Sequence, residues 1–288
     1  MSVVALLTVC TTLGGAPADG MASFFHSRSI LLGAHRGGRD LWPEDTVEAY
    51  SQAAKRWPEI LLEGDLHMTK DGQVVVMHDA KVDRTTDGTG PLGGMRLDEI
   101  KQLDAGYRFT RDHGQSYPYR GKGITVPTLA EALAAAPGHP FLFEMKEGEG
   151  IADATIKIIR EAKAQPRVLL ASIDPECMRR VRETAPEIGT CYDFMNAAEM
   201  LHTLRQGDWA HYTPAAAMLA FSPEIQRQFK VTNEEVQAVR AKGVLIEYFT
   251  INSREEMDQC LAIGVDSILS DRPDVLAEAI AAARAKTP

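Results

Sequence analysis

Between Ile30 and Asp79, short apolar runs end one after another on side chains capable of chemistry. The first delivers His35-Arg36-Gly37-Gly38, the second Glu63-Gly64-Asp65, and an extended third run ends on His78-Asp79. Far downstream, Phe141-Leu142-Phe143 runs into Glu144-Met145-Lys146, another carboxylate followed by a cation. Glu63 and Asp65 are two residues apart on one strand, so both project from the same face. Two carboxylates about 4 Å apart repel by about 4 kcal/mol at an effective dielectric near 20. Glu144, from another strand end, adds to that cost. Protonation or pairing with Arg36 and Lys146 relieves part of it, but the acids outnumber the nearby cations. A hard divalent cation, Mg2+ or Ca2+, on Glu63, Asp65 and Glu144 takes up the excess, because an all-oxygen donor set does not suit zinc.

His35 and His78 are the acid/base pair. Each ends an apolar strand beside charged groups, and imidazole titrates close to neutrality. One can take a proton from an attacking oxygen while the other gives one to a leaving alkoxide, each for a factor of about 10²–10⁴ in rate. Arg36 can make paired hydrogen bonds to non-bridging phosphate oxygens, and Lys146 supplies a point charge. Gly37 and Gly38 let the backbone approach an anion. Such a constellation handles a phosphate ester. The other histidines, His26, His67, His113, His139, His202 and His211, read as surface or satisfied core residues. His67 continues the alternation of Glu63 and Asp65, but is expected past the strand end.

The elements that must position these groups alternate along the chain. Ile30–His35 reads as a strand and Glu44–Trp57 as a helix beginning just after Pro43. Ile60–Asp65 and Gln73–His78 are strands separated by the turn signal Lys70-Asp71-Gly72. From Ala80 to Gly123 the rhythm breaks into a stretch rich in Gly, Asp, Thr and Tyr, with one amphipathic segment at Leu97–Leu103. Strands then resume at Phe141–Lys146, Val168–Ser172, Ile188–Tyr192, Ala215–Phe221, Val244–Thr250 and Val265–Leu269. Helices fall at Thr128–Ala136, Ile151–Lys163, Pro175–Thr184, Ala197–Arg205, Asn233–Lys242, Arg254–Ile263 and Asp274–Ala283. Asp208–Tyr212 fits no element. The strands are continuous apolar runs, as expected where both faces are covered. About eight βα units predict an α/β fold, a (β/α)8 TIM barrel over residues 30–286 forming one domain. A small insertion follows the second strand, at about 80–123. In such a barrel, chemistry is done at the downstream strand ends, where the residues above lie.

The bulk numbers exclude several classes. A net charge of −9 over 288 residues is wrong for a nucleic-acid surface. No run of Lys and Arg offers a membrane patch, and no segment is long enough to span one, so stable membrane insertion is not expected. Cys10, Cys177, Cys191 and Cys260 match no zinc spacing and read as small core hydrophobes. Residues 1–29 read as a leader, disordered or weakly signal-like: Val3–Cys10 is apolar, but no Lys or Arg precedes it. A cytoplasmic protein is the favoured reading, and a periplasmic or secreted one follows if that segment acts as a signal peptide.

The residues also carry a resemblance. His35-Arg36-Gly37, Pro43-Glu44-x-Thr46, Glu63-x-Asp65, His78-Asp79 with Arg84-Thr85-Thr86, and Glu144-x-Lys146 resemble the glycerophosphodiester phosphodiesterase family. Pro127-Thr128-Leu129-x-Glu131, Gly264-Val265-Asp266 and Ser270-Asp271-x-Pro273 are similar too, so the likeness runs from about Ile30 to Leu276. It implies hydrolysis of a small-molecule glycerophosphodiester to sn-glycerol 3-phosphate and an alcohol. It further implies a divalent ion on Glu63, Asp65 and Glu144, His35 and His78 as the acid/base pair, and Arg36 and Lys146 on the phosphate. Glu44 falls on an acidic position at or behind the metal. Three residues depart from the family pattern. Asp45 stands where the family usually has Asn, adding a negative charge, and is expected to cap the helix after Pro43. Phe249 replaces a Trp that would line the glycerol side of the pocket, and Ser270 replaces Thr.

Two rival readings exist. A phospholipase D-like barrel acting on lysophospholipids or sphingomyelin would need an apolar entrance, for which Tyr107, Phe109, Tyr117 and Tyr119 of the insertion are the candidates; those rings can equally pack under the loop. A catalytically silent barrel that only binds phosphodiesters is disfavoured by the presence of both histidines and all three carboxylates.

Overall fold

The computed structural model describes residues 30–146 and 150–286; the leader and Cys10 lie outside the described residues. Eight parallel strands make a (β/α)8 barrel. They are β1 (Leu31–Ala34), β2 (Leu61–Met68), β4 (Phe141–Met145), β5 (Val168–Ala171), β6 (Gly189–Thr190), β7 (Met218–Phe221), β8 (Leu245–Tyr248) and β9 (Ser267–Ser270). Neighbours run β6-β5-β4-β2-β1-β9-β8-β7, and β3 (Val74–Val76) lies antiparallel against β2. Two backbone hydrogen bonds bring β6 and β7 together and close the ring: Tyr192 N to Met218 O at 2.8 Å, and Ala217 N to Thr190 O at 2.9 Å.

The barrel floor takes one inward side chain from each strand direction: Leu31, Leu61, Leu142, Leu169, Cys191, Met218, Leu245 and Leu269. Two residues further along three of these strands, the same inward face turns acidic, at Glu63, Glu144 and Glu247. The outward faces pack under the helices, which explains the continuous apolar runs. Cys177, Cys191 and Cys260 are free thiols, the latter two buried. No helix among the described residues is long and apolar enough to cross a membrane.

Element boundaries differ from expectation where a side chain takes a different partner. The first barrel helix is Val47–Arg56, and its cap is Thr46, whose side chain accepts from Ala49 N at 3.1 Å. Asp45 does not cap it. Its φ of 55° places it in the left-handed region, away from the extended conformation of a cap residue, and its carboxylate accepts from Tyr50 Oη at 2.9 Å. The helix expected at Ala197 begins at Phe194, because Asp193 caps it through Asn196 N. A six-residue helix, Pro223–Gln228, was not expected; it is too short to show a period, although Ser222 caps it and Pro223 opens it. Trp209–His211 is a single 3₁₀ turn.

β2 is longer than expected, because pairing with β3 (Leu66 with Val76, Met68 with Val74) carries it past Asp65. His67 therefore lies within the strand rather than beyond it. The stretch from 80 to 123 is mostly turns around a small core of its own, built on Val82, Leu92, Ile100 and Ala105. Its aromatic rings lie outside that core and meet one another or a guanidinium: Phe109 meets Tyr119 edge-on, and Arg120 lies over Tyr107 and Tyr117.

Candidate active site

At the downstream end of β1 the chain makes a tight turn in which Arg36, Gly37 and Gly38 all have positive φ. A Cβ at Gly37 would come within 2.9 Å of the Ala49 Cβ, so glycine is required there for space as well as for conformation. The turn aims Arg36 N–H at Glu63 Oε2, 2.8 Å away. Gly64, between the two acids of β2, leaves room for Tyr50, whose hydroxyl would sit 2.2 Å from a Cβ at that position.

His35, Arg36, Glu63, Asp65, His78, Glu144, Lys146 and Phe249 all line one cavity of about 590 Å³, and Glu44 stands behind Arg36. The β2–β4 register sets Asp65 beside Glu144. Lys146 Nζ lies 2.9 Å from Asp65 Oδ1 and 2.6 Å from Glu144 Oε2. Arg36 Nε is 3.5 Å from Asp65 Oδ2, which is buried and makes no hydrogen bond. Burial, then the charges of Asp65 and Asp45, push the Glu63 carboxyl well above the ordinary range. Burial, then the charges of Asp65 and Glu44, do so for Asp45, whose Oδ2 is likewise without a partner. The acids are thus under-neutralised by the protein's own cations. Among the described residues no three carboxylate or imidazole groups converge at metal-ligand spacing. The donor set itself, three carboxylates with an orphaned oxygen on Asp65, suits a hard cation.

Each cavity histidine has one ring nitrogen committed. His35 Nδ1 is 2.6 Å from Asp271 Oδ1, which leaves Nε2 toward the cavity, 4.0 Å from Glu63 Oε2. Burial would raise the Asp271 carboxyl, but the His35 hydrogen bond and the Arg39 charge hold it below its ordinary range. His78 Nδ1 is 2.7 Å from Asp79 Oδ1. Asp79 is gripped by Arg84 Nε at 2.7 Å and held low by that bond. Arg84 also forks onto both oxygens of Glu44, at 2.7 Å each, and Glu44 accepts from Arg36 Nη1 at 3.0 Å. Burial opposes ionisation of Glu44, yet these two guanidinium groups keep its carboxyl below the usual value. A continuous chain of charges therefore runs Arg36–Glu44–Arg84–Asp79–His78. His67 Nε2 meets His78 O at 3.1 Å and props the same loop.

Sequence reasoning gave no role to Asp271, Asn252, Asp79 or Arg84. Asp79, Arg84 and Asp271 stand in the quoted motifs, and that was the only available signal. A carboxylate 236 residues from His35 becomes its neighbour only when β9 closes against β1, with Ala34 beside Ser270.

The sequence model of the glycerophosphoryl diester phosphodiesterase family matches residues 35–275. A glycerophosphodiester phosphodiesterase of Caldanaerobacter subterraneus subsp. tengcongensis is 33% identical over 254 residues, which is 85% of this chain and 96% of that one. A second, from Bacillus subtilis, is 32% identical over 263 residues, 85% of each chain. Among solved structures, an Oleispira antarctica phosphodiesterase in complex with the product sn-glycerol-3-phosphate aligns with a TM-score of 0.71 at 27% identity, covering 89% of this chain and 98% of that one.

Proposed function

The chain belongs to the glycerophosphoryl diester phosphodiesterase family and is a phosphoric diester hydrolase; from that premise we propose that it cleaves glycerophosphodiesters to sn-glycerol 3-phosphate and an alcohol, with His35 and His78 as the acid/base pair. The observation that carries this reading is the pair of imidazoles on one cavity wall, each with Nδ1 held by a carboxylate. A carboxylate on Nδ1 fixes the tautomer and stabilises the imidazolium, leaving Nε2 for the substrate. For either attacking oxygen, water or the adjacent glycerol hydroxyl, one Nε2 takes its proton and the other returns one to the leaving oxygen. Arg36 and Lys146, which line the cavity with Phe249, would hold the non-bridging oxygens. Glu63, Asp65 and Glu144 would hold a divalent cation, Mg2+ or Ca2+, which when bound supplies charge stabilisation to the phosphoryl group.

The test is hydrolysis of a panel of glycerophosphodiesters after EDTA treatment, with Mg2+ or Ca2+ added back. Activity should vanish with EDTA and return with the cation. His35→Ala and His78→Ala should each lose at least about 10²-fold while remaining folded. Near-normal turnover in either variant would remove the assignment of that histidine.

A further inference from the structure

Glu247 takes no part in proton transfer, in holding the phosphate or in the three-carboxylate cluster, yet it lines the same cavity. It stands on β8 between two other inward side chains, Leu245 in the barrel floor and Phe249 on the cavity wall. The residue is fully buried. Its Oε2 accepts from Ser267 Oγ at 2.7 Å, while its Oε1 has no hydrogen-bond partner. Among the described residues no Lys, Arg or His forms an ion pair with it. A buried carboxyl oxygen without a donor is costly to keep, so its position against the cavity points to a donor that arrives with the ligand.

The strand order shows which part of the ligand brings that donor. Around the closed ring β8 is four places from β4 in either direction, so Glu247 lies across the barrel from Glu144 and Lys146. Lys146 follows β4 and Arg36 follows β1, so the phosphoryl oxygens are gripped from the wall away from β8. The carbon skeleton attached to the phosphate then has Phe249 and Glu247 ahead of it. A hydroxyl is the donor that suits this carboxyl. It donates to the ionised form and accepts from the protonated one, and burial pushes Glu247 up to about 7, where both forms are present. An ammonium suits the ionised form alone, and it would leave water for a wall that also presents Leu219, Phe221, Phe249 and Leu269.

Resting on the family reading of the phosphate end, we infer that Glu247 is a specificity-determining residue: it hydrogen-bonds a hydroxyl of the substrate's glycerol group, so that the site selects polyol phosphodiesters over those of simple alkanols.

The experiment measures competitive inhibition by sn-glycerol 3-phosphate and by propyl phosphate, which has the same carbon chain and phosphate but neither hydroxyl. Both are also titrated calorimetrically in EDTA, which separates any preference that a divalent ion supplies. In the parent, sn-glycerol 3-phosphate should bind about 10- to 150-fold more tightly, the worth of a hydrogen bond to a charged group. In Glu247→Met, which fills the space without an acceptor, the two affinities should come within about threefold. In Glu247→Gln, which keeps a hydrogen-bonding group and loses the charge, the preference should fall part-way. Each ratio is read within one variant, so a general loss of affinity from repacking cancels, which a merely structural role would not survive as a changed ratio. Equal affinities in the parent overturn the inference, as does a preference that persists undiminished in Glu247→Met or, should that variant not fold, in Glu247→Gln. Hydrolysis of glycerophosphodiesters with equal affinities removes the Glu247 assignment and leaves the catalytic reading. A preference that follows Glu247 without hydrolysis of any diester does the reverse.

Discussion

Asp271→Asn is the sharpest probe of how the site works, because the surroundings dictate how the replacement amide must sit. Asp271 Oδ1 faces His35 Nδ1 at 2.6 Å. On its other side, Oδ2 receives Asn252 Nδ2 at 2.8 Å and lies 3.1 Å from Arg39 Nε. The Asn252 amide cannot turn over, since its Oδ1 already accepts from Asp271 N and Ser270 Oγ. An asparagine at this position must therefore point its oxygen at the two donors and its NH2 at the imidazole. His35 Nδ1 must then accept, and the ring proton moves to Nε2, the atom that faces the cavity.

That tautomer cannot take a proton at Nε2, and the negative charge that would stabilise an imidazolium is gone. The expected loss in kcat is the full worth of one acid/base group, about 10²–10⁴-fold, or about 3–5 kcal/mol of barrier. The assay is steady-state hydrolysis of glycerophosphocholine at saturating divalent cation from pH 6 to 9, with circular dichroism and a melting curve on the same samples. A folded variant retaining kcat within about threefold of the parent would refute the reasoning, since it would mean that His35 works without its carboxylate or does not work at all.

Three further outcomes follow from buried or bridging groups. Burial holds Glu247 at about 7 against an ordinary 4.5, its Oε2 accepting from Ser267 and its Oε1 without a partner. The unfolded chain releases this proton at lower pH, so the folded state binds more protons between the two values, and stability falls by about 3 kcal/mol as pH rises from about 4.5 to about 7. Glu247→Gln should abolish that slope, melting several degrees higher than the parent at pH 8 and near it at pH 5; equal gaps at both would locate the proton elsewhere. Tyr50→Phe strips the one donor from buried Asp45 and should cost about 1–3 kcal/mol in urea denaturation, an unchanged midpoint meaning that water reaches that carboxyl. Arg84→Met releases both Asp79 and Glu44 from a guanidinium that is 43% exposed, so stability should hardly move while kcat drops about 10–100-fold; a loss confined to KM would place Arg84 on the substrate instead.

What the sequence reveals about this molecule follows from the range of each signal. The apolar runs into His35, Glu63 and Glu144 are legible because a strand's side-chain period is local and each run ends abruptly on charge. Asp271 is not, because its value depends on β9 meeting β1 at the far end of the chain. His67 is misplaced for a related reason: the residues beyond Asp65 are strand only because Val74–Val76 folds back onto them. Arg84 lies in a stretch without periodicity, where nothing local says that a guanidinium will bridge two acids 5 and 40 residues away. The short helix Pro223–Gln228 and the apolar side of the cavity go unseen together. That side is assembled from residues such as Ile173, Phe194, Leu219 and Ile225, which lie on separate segments and form no stripe on any one of them.

The two sides of the cavity differ in where their polar atoms find partners. On the charged side Asp45, Asp65 and Glu247 each keep a buried oxygen without a hydrogen bond, and Glu63 is held away from ionisation by burial and by the charges of Asp65 and Asp45. Such groups cost stability in isolation, and a native fold retains them only where something else repays the cost on binding. On the apolar side Tyr192, Asp193, Gln226 and Glu235 are the opposite case, each closed off by Tyr212, Arg182, Tyr248 or Arg205.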